Sequence, residues 1–271
     1  MNLPSPHNYS SPPRDNIISP TAHRVSGGVA YQGLPEGGVS MAEAIQLIAD
    51  QLLSLKKTKF PNSAMTVALE GLSNTGKSTL GAQLGTHSPQ ILFVEGDLFH
   101  RGTAIAMPVY ERLIKSISAG KRVPRNFPTL IWNFTKLRRQ LLTAVESFNN
   151  SREHSCTLEL TNVLENKKSG TEHTRSYTLD RNSIVLVTGM YLRQLRFDQY
   201  LYLTADPDVT IARKIDRGRA DGKPRDPSLT RNMVELIEHP ALLDYHRQHP
   251  VLEQIIINTT CFDRVSISIH A

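Results

Sequence analysis

The 271-residue sequence predicts an α/β fold of three layers, a parallel central sheet with helices on both faces. Three observations predict it. Apolar runs of strand length at 65–69, 91–94, 183–188, 200–203 and 254–258 alternate with stretches of helical periodicity. These runs are continuously apolar, as in strands covered on both faces. Between the first run and the helix after it stands Gly71-Leu72-Ser73-Asn74-Thr75-Gly76-Lys77-Ser78, a turn of the form G-x-x-x-x-G-K-[ST].

Taken in order, residues 1–38 are rich in Pro, Ser, Gly and Asn and carry three Ser-Pro pairs. Such a stretch buries too little apolar surface to offset its ordering entropy, so a disordered arm is expected there. It reads either as a tail without function or as a leader of a secreted effector or a phosphorylated segment. The folded domain is expected over 39–271. Ser40 and Glu43 form a capping box ahead of a helix over 41–53, expected to lie across the sheet edge. A helix follows the glycine turn, and others are expected near 108–119, 134–148, 207–217 and 228–247. Alternation at 157–161 and 174–179 around a turn at 166–170 reads as a β-hairpin outside the main sheet, a flap. There is no internal repeat.

Net charge is +6 and the isoelectric point about 9.4. That balance suits anionic ligands such as nucleotides, and the excess is too small to select nucleic acid or an acidic membrane. Cys156 and Cys261 are the only cysteines, without C-x-x-C spacing. This argues against a disulfide framework or a cysteine-rich zinc site and for a reducing, cytoplasmic setting. The longest apolar runs are strand-sized, so no membrane span is expected, and the N-terminus lacks the layout of a secretory signal.

The chemistry centres on Gly71 to Thr79. Strand, glycine-rich turn and helix is the order that a phosphate-cradling loop, and with it the P-loop NTPase fold, requires. Gly71 and Gly76 allow backbone conformations closed to other residues, so that N–H groups along Leu72, Ser73, Asn74 and Thr75 can turn onto phosphate oxygens. Lys77 would reach the β- and γ-phosphates of ATP, Ser78 would ligate Mg²⁺, and Thr79 continues the helix whose positive end faces the same anion. Asp97 follows the second strand, at the edge where open α/β sheets bind ligands. There it could take the proton of an attacking hydroxyl, with Glu95 a second acid nearby. Its rival reading is a loop residue capping the next helix. Arg213, Arg217 and Arg219 could form a lid over transferring phosphate, or simply a solvated basic helix end. His239, His246 and His249 read as surface or helix-end residues, because prolines interrupt the region and no H-E-x-x-H occurs.

From residue 65 to about 260 the chain resembles the uridine kinase and phosphoribulokinase group of P-loop kinases. The resemblance rests on VALEGLSNTGKST, on VEGDLFHRG with Asp97 and Phe99, on the 126–134 segment, and on the stretch DPDVTIARKIDRGRADG. It implies Asp97 as catalytic base, acceptor contacts from Phe99, Arg101, Trp132 and Asn133, and an Arg-rich lid formed by Arg213, Arg217 and Arg219. Two positions depart from the pattern. Thr188-Gly189 stands where the group has an acid expected near Mg²⁺, and Asn133 where an Asp often fixes the sugar. The expected activity is transfer of the γ-phosphoryl group of ATP to a hydroxyl of a small metabolite, a nucleoside or a sugar. The alternatives are a nucleotide-binding regulatory or degenerate protein without turnover, and a secreted effector kinase. Nucleic acid is disfavoured as a partner, and a homo-oligomer is compatible with the sequence.

Overall fold

A computed structural model describes residues 38–167, 169–261 and 263–270, all within one compact unit. Apart from Gly38, the expected arm at 1–38 lies outside the described residues. Helix α1 (Met41–Lys59) opens with the capping box: Glu43 N–H donates to Ser40 Oγ, and Ser40 N–H to Glu43 Oε2. Strand β1 (Met65–Gly71) is buried throughout, and the glycine loop leads into α2 (Lys77–His87). Next come β2 (Ile91–Glu95), a single 3₁₀ turn (Gly96–Phe99) and α3 (Thr103–Ser118). Helices α4 (Phe127–Ile131), α5 (Phe134–Leu137) and α6 (Thr143–Asn150) follow, with a π turn at Arg138–Leu142 between the last two.

Strands β3 (Ser155–Leu164) and β4 (Glu172–Asp180) pair antiparallel as a separate two-stranded sheet. The main sheet resumes with β5 (Ile184–Gly189) and β6 (Gln199–Thr204). Helices α7 (Pro207–Ala220), α8 (Pro227–Asn232) and α9 (His239–Gln248) follow, a second π turn at Met233–Glu238 joining the last two. Strands β7 (Gln254–Asn258) and β8 (Ser266–His270) close the chain.

The sheet order is β2-β5-β1-β6-β7-β8, parallel except for the antiparallel edge strand β8. Chain order reverses about β1: the next strand of the main sheet, β2, lies beyond β5 on one side, and β6 lies on the other. The loop after β1 therefore stands at the sheet's switch point, where a crevice opens beyond the strand ends.

Two apolar layers sandwich the sheet. On one face Ala44, Ile48 and Leu52 of α1 join Leu80 and Leu84 of α2 against Val67, Leu186 and Leu203. On the other, α3 to α6, the flap and α9 pack around Ala68, Val187 and Tyr191. The sheet-edge expectation for α1 is corrected: its apolar stripe covers a face, because a strand buried on both sides needs a helix there. Helix α7 likewise runs through Gly218 to Ala220 instead of breaking. A Cβ at Gly218 would lie 2.7 Å from Arg225 Cγ and 2.9 Å from Lys223 O, so glycine serves close approach there. Strand β8, an alternating Ser-Ile-Ser-Ile segment, has no counterpart in the sequence expectations.

Candidate active site

The loop from Gly71 to Gly76 is built by steric demand. A Cβ on Gly71 would lie 2.2 Å from Leu203 O of the neighbouring strand, which leaves room only for glycine. Asn74 and Gly76 adopt positive φ, 59° and 100°. Gly76 is the N-cap of α2, and no side chain caps that helix, so its first N–H groups face the crevice unshielded by a side chain. Thr75 is buried, donating from Oγ1 to Leu72 O (3.0 Å), while its carbonyl accepts from Thr259 Oγ1 (2.8 Å) after β7. Lys77 Nζ donates to Leu72 O and so arches back over the loop. Burial lowers the Lys77 pKa to about 8, against the opposing pull of Asp97 and of the buried Glu238 and Glu70.

Two buried carboxylates flank this loop, and one of them bonds to it. Glu238, at the end of the second π turn, accepts from Ser73 Oγ (2.5 Å), Lys214 Nζ (2.9 Å) and Tyr110 Oη (3.1 Å). Lys214 Nζ also lies 3.2 Å from Ser73 Oγ, so α7, the π turn and the loop share one polar knot. Glu70, next to Gly71 in β1, accepts from Leu192 N–H (2.7 Å) and Arg193 Nε (2.9 Å) and pairs with His246 Nε2 (2.9 Å). Burial works to raise both carboxyl pKa values, but the cationic and hydrogen-bonding partners outweigh it and hold both below the ordinary value.

Asp97 sits in the 3₁₀ turn after β2. Gly96 permits that turn, since a Cβ there would meet Thr188 O at 1.9 Å. The Asp97 side chain is 54% exposed and forms an ion pair with Lys167 at the tip of the flap. The tip is also held by Thr103 N–H donating to Lys167 O (2.7 Å). Desolvation pushes the Asp97 pKa up, but its cationic neighbours, Lys167 foremost, together outweigh it and the net shift is downward. His100 is pushed down to about 4 by burial and by Lys167, so it is neutral at pH 7. Its Nδ1 accepts from Gly102 N–H (2.9 Å), leaving the proton on Nε2.

The other predicted residues fall into distinct places. Phe99 is buried in the core. Trp132 is buried edge-on to His100 and Tyr191, its Nε1 without a protein partner. Asn133 caps α5 through Lys136 N–H, and Arg101 Nε donates to Thr129 O (3.1 Å). Ser78 and Thr79 are exposed in the first turn of α2. The three arginines do not converge. Arg213 Nη2 donates to Thr259 O (2.6 Å), whereas Arg217 and Arg219 are exposed and pair with Asp221 and Asp216 of their own segment.

Sequence reasoning missed Lys214, Glu238, Glu70 and Lys167. Signals existed for two of them. Glu70 is a carboxylate in an otherwise buried strand, and Glu238 lies on the stripe Val234, Ile237, Ala241, Leu242 and Tyr245. His246 lies in the last turn of α9, as the helix-end reading expects, but it is largely buried and is the partner of Glu70.

No group of three or more His, Cys, Asp or Glu able to hold a metal occurs among the described residues. The donor set fits Mg²⁺ nonetheless, because that ion is commonly held by one or two protein oxygens together with substrate phosphates and water. Ser78 would supply such an oxygen at the helix end.

No family model and no curated protein matches the chain by sequence. Solved structures do match. The D-glycerate 3-kinase from Cryptococcus neoformans var. grubii aligns with 87% of this chain and 100% of its own, with a TM-score of 0.53 at 10% identity. The YGR205w protein aligns with 85% of this chain and 98% of its own, with a TM-score of 0.54 at 11% identity. A possible uridine kinase from Bacillus stearothermophilus is a looser match, with a TM-score of 0.46 at 16% identity over 77% of this chain and 93% of that one. The chain shares the α/β fold of the first two, with its mostly parallel central sheet. At these identities the likeness is one of fold.

Proposed function

We propose that the chain is an ATP-dependent phosphotransferase acting on a hydroxyl of a small metabolite, a nucleoside or a sugar. The observation that carries this reading is the pairing of an uncapped glycine loop at the switch point with Asp97, whose carboxylate couples electrostatically to Lys77 of that loop. Residues 71 to 79 would cradle the phosphates of ATP, and Lys77 would leave Leu72 O for a phosphate oxygen. Ser78 would hold Mg²⁺, which when bound supplies neutralising charge.

In the transfer, the acceptor oxygen bonds to the γ-phosphorus, the bond to the bridging oxygen of ADP breaks, and the hydroxyl proton passes to Asp97. The depressed pKa of Asp97 keeps it ionised and ready. Lys167 must give up Asp97 for the hydroxyl to reach it. Of the arginines, Arg217 and Arg219 are exposed and would have to leave Asp221 and Asp216 to reach phosphate. Arg213 is better read as a positioning residue, because Thr259, whose carbonyl it holds, bonds to the loop. Arg101, Trp132 through its unpartnered Nε1, and Asn133 are the proposed acceptor contacts, with Phe99 supporting them from the core.

A screen of ATP consumption over nucleosides, sugars and vitamin-like alcohols, with an acceptor-free control, tests the reading. Lys77→Ala and Asp97→Asn should each lose about 100-fold or more in turnover. Unchanged turnover in both would sink it.

One observation favours nucleotide binding without turnover. Thr188, not an acid, stands beside Gly96, its Oγ1 3.4 Å from that N–H, and the nearby Glu70 carboxylate is locked by Arg193 and His246. Saturable ATP binding with no consumption on any acceptor would decide for this reading.

A further inference from the structure

A cavity has neither the loop residues 71–79 nor Asp97 among its lining residues. It has a volume of about 660 Å³, within the range of small-molecule sites. Its walls are the segment after α3, the start of α4, and the outer face of α9. Ile117, Val123, Pro124, Leu236 and Pro240 supply apolar surface. Lys121, Arg122 and Arg125 ring it with three fixed positive charges. The single acid among the lining residues, Asp244, accepts from Gln248 Nε2 (2.5 Å). A shallower hollow of about 460 Å³ adjoins it through Lys121 and adds Arg112 and Lys115, balanced in part by Glu111.

Gln194 also lines the cavity, and its backbone is fixed, since Gln194 N–H donates to Tyr245 Oη (2.5 Å), which in turn donates to Tyr191 O (2.6 Å). Apolar walls and a cationic rim together select a ligand with an apolar body and an anionic head.

We propose that this cavity is a second binding site, separate from the nucleotide loop, for a small anionic amphiphile: an aromatic or aliphatic body bearing a carboxylate, sulfonate or phosphate. The site stands on its own residues and does not depend on the kinase reading.

The probe is 8-anilinonaphthalene-1-sulfonate, titrated against the full chain by fluorescence and calorimetry. The uncharged N-phenyl-1-naphthylamine serves as its neutral counterpart. One saturable equivalent of the sulfonate is expected, with the neutral compound weaker by about tenfold or more. Arg122→Glu/Arg125→Glu, exposed positions outside the core, should weaken the sulfonate by at least about tenfold and leave the circular dichroism unchanged. Ala241→Trp, which fills the cavity from α9, should abolish binding of both. Equal binding of both compounds, or sulfonate binding untouched by the double charge reversal, would overturn the proposal. So would the absence of saturable binding. Because the double variant leaves the core intact, the test holds even if Ala241→Trp fails to fold.

Discussion

The Asp97 carboxylate pairs with the Lys167 ammonium and couples electrostatically to that of Lys77, and the protonation of Asp97 and Lys77 follows from their surroundings. Lys77 has its pKa lowered to about 8 by burial. Bound phosphate would restore its charge, so nucleotide binding at pH 8 to 9 should take up a proton. Calorimetry in buffers of different ionisation enthalpy measures that uptake, and Lys77→Arg, which stays charged, should abolish it. His100 is lowered from 6.5 to about 4, so the unfolded chain binds a proton that the folded one refuses. Its contribution to stability is therefore complete above about pH 6.5 and is lost as pH falls toward 4. Urea unfolding at pH 7 and pH 5 should show this loss, and His100→Gln should reduce it. The Lys214–Glu238 pair behaves differently. Lys214→Met leaves a buried carboxylate unpaired and should cost about 3–5 kcal/mol, whereas Lys214→Met with Glu238→Leu should recover part of that loss.

At the scale of elements, the flap is the part with most consequence for chemistry. Its two strands were legible from alternation and a polar turn, but the reach of Lys167 onto Asp97 was not. That contact depends on how a separate two-stranded sheet is set over the 3₁₀ turn, and no sequence period records it. Lys167→Met should raise the Asp97 pKa, moving the acid limb of the kcat/KM profile to higher pH. The arginines of α7 show the same limit. The sequence places Arg213 and Arg217 on one helix face, yet Lys214 turns inward to Ser73 and Arg213 to the carbonyls after β7. Which basic side chain of a crowded run faces the loop is decided by packing.

Across the whole molecule, the fold is carried by strands buried on both faces and by the reversal of strand order at β1. A ligand that binds only the folded chain stabilises it by mass action. A non-hydrolysable ATP analogue at about 100 times its Kd should add about 2.7 kcal/mol, readable as a rise in Tm. Lys77→Ala should remove the rise.

By itself the sequence determined the three-layer α/β architecture, the position of the glycine loop and the edge on which Asp97 stands. Each of these is written in local patterns: apolar runs, helical spacing and glycines at positions closed to other residues. Tertiary structure alone decided that Glu238 braces the loop through Ser73, that Glu70 pairs with Arg193 and His246, and that Lys167 holds Asp97. It also decided that Lys121, Arg122 and Arg125 meet the apolar side chains of α9 and its neighbours around one cavity. These depend on side chains that are distant in the sequence meeting in one buried place, where a charge must find a partner or change its protonation.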